Sequence, residues 1–458
     1  MHRSLPLAAA LALAALLPAQ DGVAVYRNAR ILPGGAPAIA NGVLVVSGGK
    51  VLAIGGADTP VPDGATVVDC AGKTITPGLI DASFRAGNTP DMNENGAEVT
   101  PHLRVLDSLD PDDPSFVRAR SAGVTTVHVM PGSRSVIGGL GVVLKTHAAD
   151  PQAMVVKNDA SLRIVMGSEP SMGNRAIRGG SVDSIYYRRP TTRMGVVWAA
   201  RKAFFDAKEA MEQSVGAPGA PPSPGIEVLA RVLRGQLTAV TTARSEQDLR
   251  TALRLAAEFG YRTVLDDAQD AHMLVGELKA AGTTVMLGAP SATAVAGSAA
   301  GDGADPRSAT VRLLADAGVP FVITTGSNLA ALDLVREAMF AARNGLDAAR
   351  ALDAVTIAPA KLLGIDQRTG SLQKGKDADF VIWSTDPLDP AAAAASVHID
   401  GIAVQVIRCT PCRSPLRSFV APSPPRSRPC PPSPRTCSLS RRAASSPSAA
   451  PSSTTASC

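Results

Sequence analysis

The chain of 458 residues is poor in the side chains that cross-link or ligate: one cysteine, Cys70, precedes residue 409, and six histidines serve the whole length. A lone thiol rules out an internal disulfide framework for the body, which must cohere by burial and hydrogen bonding. Cys409, Cys412, Cys430, Cys437 and Cys458 are confined to the end of the chain. The first two have knuckle spacing but no second pair at a credible distance, so they are not read as a zinc site. Long apolar runs are also missing: after the N-terminus no stretch of about 18 apolar residues occurs, and no transmembrane segment is expected in the mature chain. Residues 409–458 contain seven arginines and no lysine, aspartate or glutamate, so the net charge of +5 leaves +5 − 7 = −2 for the rest. That balance excludes nucleic acid as a partner of the body.

What is present divides the chain into parts. Residues 1–20 combine a basic start (His2, Arg3) with an apolar run from Leu5 to Leu17 and small residues after it. This pattern predicts a signal peptide and an exported protein, periplasmic or extracellular. Residues 22–75 alternate short β-rich runs with glycine turns, and residues 366–407 supply similar runs, so one composite β domain is expected from both ends of the chain. Between them, residues 76–365 repeat an apolar strand and an amphipathic helix, as in LTAVTT (237–242), RTVLDD (262–267), TTVMLG (283–288) and PFVITTG (320–326). Continuously apolar strands followed by helices predict a parallel barrel or a doubly wound sheet. Residues 409–458, with eleven prolines and almost no apolar periodicity, are expected to be a disordered Pro/Ser/Arg-rich tail, resembling out-of-frame translation.

Three segments make the fold expectation specific. Pro77, Gly78, Leu79, Ile80, Asp81 and Ala82 reproduce the first barrel strand of the amidohydrolase superfamily, PGLIDAHxHxG; TIAPAKLLG (356–364) and GSLQKGKDADFVIW (370–383) are similar to two later segments of that family. The chain resembles in particular its exported imidazolonepropionase-like and prolidase-like group. The resemblance covers residues 22–407 and implies an α/β fold, a (β/α)8 TIM-like barrel inserted in a small β-sandwich composite domain. It also implies hydrolysis of non-peptide carbon–nitrogen bonds, such as cyclic amides, with zinc or another divalent metal at the C-terminal mouth of the barrel.

The ligand positions break that pattern. Ser83 and Arg85 stand where the family has its first two histidines, Thr242 and Arg244 where a later histidine pair would be, Asp267 at another histidine position, and Gly326 at the strand-eight aspartate. Serine ligates zinc poorly and arginine stays protonated. A dication about 4 Å from one guanidinium would meet roughly 8 kcal/mol of repulsion at an effective dielectric near 20. No metal or other cofactor is therefore expected. Lys145 occupies a place where some relatives carry a carboxylated bridging lysine. His128, inside an apolar strand, is read as a packed residue, and His102, His147 and His272 as solvent-facing ones.

In place of a metal, Arg85 and Arg244 are expected to pair with Asp266 or Asp267 at the mouth, or to line a pocket for a small anionic ligand with Ser83 and Thr242 as hydroxyl donors. The leading reading is a degenerate amidohydrolase acting as an exported binding or partner subunit, beside an active paralogue. A second is a carbon–nitrogen hydrolase with metal-free chemistry, using Asp81, Glu94 or Asp267 as base. A third is a defective gene product.

Overall fold

The computed structural model describes residues 22–84, 92–148, 150, 152–172, 174, 189–213, 223–288, 307–326 and 333–404. The expected signal peptide, the tail and Arg85 lie outside the described residues.

The chain opens with β1 (Ala24–Ile31), β2 (Ile39–Ser47), β3 (Lys50–Gly55), β4 (Thr66–Asp69) and β5 (Thr74–Pro77). β1 mixes buried Val25, Tyr26, Ala29 and Ile31 with exposed Arg27, Asn28 and Arg30, whereas β2 buries the run 43–46 and β5 is buried throughout. Barrel strands follow: β6 (Leu79–Phe84), helix α1 (Pro114–Ser121), β7 (Val124–Val129), β8 (Ile137–Lys145) and β9 (Val155–Val165). Next come α2 (Arg193–Gln213), α3 (Pro224–Leu233), β10 (Thr238–Thr242), α4 (Glu246–Phe259), β11 (Thr263–Asp266), α5 (Val275–Ala281), β12 (Val285–Leu287), α6 (Thr310–Ala317) and β13 (Phe321–Ile323). The described chain ends with α7 (Leu334–Arg343), α8 (Ala348–Asp353), α9 (Ile357–Leu363), β14 (Phe380–Trp383), β15 (Ala394–Ile399) and β16 (Ile402–Val404).

The architecture is a β-sandwich sheet from both chain ends joined to a barrel-like sheet. In the first sheet the order is β16-β15-β14-β5-β1-β2-β3, with β4 also on β1. The late strand β14 runs antiparallel to β5 with Phe380 opposite Pro77, which brings the two chain ends together at the start of the barrel. In the second sheet the order is β6 through β13 in sequence.

One barrel strand departs from the all-parallel expectation. β8 is antiparallel to both β7 and β9. Only residues 130–136 separate β7 from β8, and a parallel return needs a dozen or more residues, so the chain can only make a hairpin. The end strands β6 and β13 are linked through the chain after α8: Ile80 donates its N–H to the Val355 carbonyl and Ile323 to that of Ala354.

The barrel throat has two layers. Ile80, Val143, Val240, Val264, Met286 and Val322 pack with Leu363 and Ile365, so α9 and the chain after it plug one end with apolar surface. Two residues further along their strands, Val240 and Val264 give way to Thr242 and Asp266, and the throat becomes polar. Helix α4 illustrates how the outer layer is set: Ser245 caps its first turn by accepting the Asp248 N–H at 3.3 Å, Leu249, Ala252, Leu255 and Ala256 form its buried face, and Gly260 at φ +73° ends it. A left-handed residue there costs glycine little and any side chain more.

Candidate functional site at the barrel mouth

The strand ends carry charge that no apolar throat would tolerate unpaired. Arg163 of β9, buried, donates through Nη1 to Asp266 Oδ2 at 3.2 Å and through Nη2 to Ser133 Oγ at 3.2 Å. The same Asp266 oxygen accepts the Thr242 hydroxyl at 3.0 Å, tying β9, β10 and β11 together. One residue past β11, Asp267 accepts Arg244 Nε at 2.6 Å, and Arg244 Nη1 reaches Glu169 at 2.8 Å. Burial opposes the charge on Arg244, but Asp267 and Glu169 outweigh it and hold the guanidinium more firmly protonated than usual. Asp267 adopts φ +57°, a left-handed conformation that aspartate and asparagine tolerate better than most side chains, and Gln269 fixes its second oxygen at 3.1 Å.

A second set lies on β6, β7 and the end of β13. Asp81 is fully buried and accepts the Thr325 hydroxyl at 2.5 Å and the Ser83 N–H at 3.1 Å. Burial pushes its carboxyl up to about 6 despite those hydrogen bonds, with the neighbouring Asp266 adding to the effect. His128 places Nδ1 2.8 Å from the Ala82 carbonyl and Nε2 2.9 Å from Ser161 Oγ. A carbonyl can only accept, so Nδ1 carries the proton and Nε2 receives the serine hydroxyl. Burial lowers the ring to about 4, so it stays neutral. Gly141 of β8 passes against this pair, where a Cβ would lie 2.8 Å from both His128 Nε2 and Ser161 Oγ. That close approach explains one glycine of the segment 132–141, and a Cβ at Gly132 would likewise collide with Asn93.

The described donors are engaged mainly with one another. Among the described residues no three His, Cys, Asp or Glu side chains converge for one. Both nitrogens of His128 are engaged, Asp266 Oδ2 is shared by Arg163 and Thr242, and Asp267 is held by Arg244 and Gln269. A dication would enter beside two guanidinium groups.

The sequence-predicted residues fall into three groups. Asp81, Thr242, Arg244 and Asp267 stand in the polar network, with buried Ser83 next to it. Gly326 follows β13 at φ +64°. Lys145, which stands where some relatives carry a bridging lysine, lies elsewhere: β8 runs backwards, so its last residue sits opposite Thr126 near the start of β7. There Lys145 is buried among Asp377 at 2.9 Å, Asp379 at 3.2 Å and Asp400 at 2.5 Å, all from the composite sheet. Glu94 is a second correction, since its exposed carboxylate turns back to accept the Gly96 N–H in its own loop.

Arg163 and Glu169 were not foreseen. A signal existed for Arg163, an isolated cation within the apolar run SLRIVM, because a strand covered on both faces cannot hold such a charge without a partner. Glu169 lies in a loop-like stretch with no such mark.

The amidohydrolase family model matches residues 74–408. The chain is 31% identical over 377 residues to amidohydrolase tasK of Hapsidospora irregularis, covering 75% of this chain and 37% of that protein, so it spans little more than a third of that relative's length. The crystal structure of an amidohydrolase from Thermotoga maritima MSB8 superposes with TM-score 0.72 at 30% identity, covering 84% of this chain and all of that one. A prolidase complexed with N-methylphosphonate-L-proline, at 17% identity and TM-score 0.51, shares the fold over 84% of this chain and all of its own.

Proposed function

The chain belongs to the amidohydrolase family, and from that premise we propose that its barrel mouth has exchanged a metal centre for ion pairs, making it a non-catalytic, exported binding or partner protein. The observation that carries this reading is the position of two guanidinium groups at the strand ends, Arg163 on Asp266 and Arg244 between Asp267 and Glu169. In active metal-dependent hydrolases the same face generates a nucleophile by lowering the pKa of metal-bound water. Here cations take up the carboxylates instead. An active paralogue is the proposed partner, and a small carboxylate the proposed ligand, which would recruit Arg85.

The test is elemental analysis of the purified protein after mild chelation, combined with a hydrolysis screen of cyclic amides and dipeptides. The reading expects substoichiometric zinc and no turnover. About one retained Zn²⁺ per chain with turnover would overturn it.

A second reading has one observation in its favour. Asp81, with its carboxyl lifted to about 6, has the pKa of a metal-free general base. Turnover in metal-free buffer that Asp81→Asn abolishes, while folding is retained, would establish this alternative.

A further inference from the structure

Of the chain's two tryptophans, Trp383 is buried and donates its indole N–H to Thr76 at 2.9 Å, whereas Trp198 on α2 is 58% exposed. Trp198 stands in the wall of a cleft of about 610 Å³, a volume within the range of small-molecule sites. Gly195, Ala199 and Ala203 recur every four residues on the same helix and line the cleft together, and Pro190 packs so close that a Cβ at Gly195 would lie 2.9 Å from it.

The walls are fixed by hydrogen bonds to the main chain. The Glu98 carbonyl accepts the N–H groups of Val136 at 2.9 Å and Ile137 at 3.1 Å, and the Pro190 carbonyl accepts Asn174 Nδ2 at 2.7 Å. Two of the charged groups in the lining, Lys202 and Asp206, neutralise each other at 2.5 Å one helical turn apart. Glu98 and Arg189 are the other two, one anion and one cation contributed by separate segments.

We propose that this cleft is a binding site for a small zwitterionic aromatic molecule, whose ring packs on Trp198 while its ammonium meets Glu98 and its carboxylate meets Arg189. Ring stacking on an exposed indole supplies apolar contact without a deep pocket. Guanidinium and carboxylate form the stronger, charge-assisted hydrogen bonds. Each end of the ligand is thereby read by a different residue, and the site is independent of what the barrel mouth does.

The experiment uses the full chain and three probes: L-phenylalanine, phenylacetate without the ammonium, and phenethylamine without the carboxylate. Calorimetry gives affinity, and tryptophan emission reports on Trp198, with Trp198→Phe leaving only the enclosed Trp383. L-Phenylalanine should bind saturably and change the emission of wild type but not of Trp198→Phe. Each single-charge probe should bind about tenfold more weakly, the equivalent of one lost charged contact. Glu98→Gln should weaken L-phenylalanine and phenethylamine but spare phenylacetate, and Arg189→Gln should spare phenethylamine instead. Equal binding of all three probes would overturn the zwitterion assignment. No saturable binding of any probe, or unchanged L-phenylalanine affinity in a folded Trp198→Ala variant, would overturn the site itself.

Discussion

Arg163 and Asp266, 103 residues apart in the chain, meet at 3.2 Å inside the barrel throat, with side chains only 6% and 3% exposed. A pair so enclosed is costly to half-remove. Asp266→Ala should destabilise the protein by about 3 to 5 kcal/mol, because it strands a buried guanidinium. Replacing both partners, as Arg163→Met with Asp266→Leu, should recover most of that loss. Urea unfolding of the two variants checks this, and a double variant no more stable than the single would count against the account.

Asp267 combines an ion pair with a left-handed backbone, and substitutions can separate the two. Asp267→Asn keeps a residue that tolerates φ +57° but loses the charge opposite Arg244, whereas Asp267→Ala loses both. The alanine variant should be less stable than the asparagine variant by about 1 kcal/mol. Equal stabilities in a denaturant titration would show that the backbone at 267 carries no strain.

The titration of Asp81 predicts a pH dependence. Its folded value of about 6 lies above the ordinary 3.8, so its contribution is fully present below 3.8 and is lost as pH rises through 6. A displacement of about two pH units corresponds to about 3 kcal/mol. The stability of wild type relative to the non-titrating Asp81→Asn should therefore fall by about that amount between about pH 4 and pH 7. A difference that stays flat across this window would mean that Asp81 is not desolvated as described.

Lys145 ties the barrel to the composite sheet through Asp377, Asp379 and Asp400. Burial alone would lower the lysine, but the three carboxylates raise it above its ordinary 10.5. Its contribution is thus complete below that value and disappears as pH rises through the higher folded one. Lys145→Met should cost about 3 to 5 kcal/mol at neutral pH, because buried Asp379 loses its cation, whereas Asp377 keeps Lys50 and Arg368 and Asp400 reaches solvent. Thermal melts at neutral pH test it: a variant melting with the wild type would refute the lock.

The sequence determined by itself the classes of element and their order. Continuous apolar runs such as VML and FVI must be covered on both faces, and stripes such as Leu249, Ala252, Leu255 and Ala256 must face a core, so strands and helices were legible from apolar pattern alone. The residues at the strand ends, Thr242, Arg244 and Asp267, were legible too, since parallel strands deliver their C-termini to one face. Tertiary structure decided who pairs with whom. Lys145 could be placed only once the seven-residue connection forced β8 to run backwards and carried it to the composite sheet. Arg163 and Glu169 acquired their roles from chain segments 103 and 75 residues away, and ion pairing depends on distance in space, which a one-dimensional pattern does not contain.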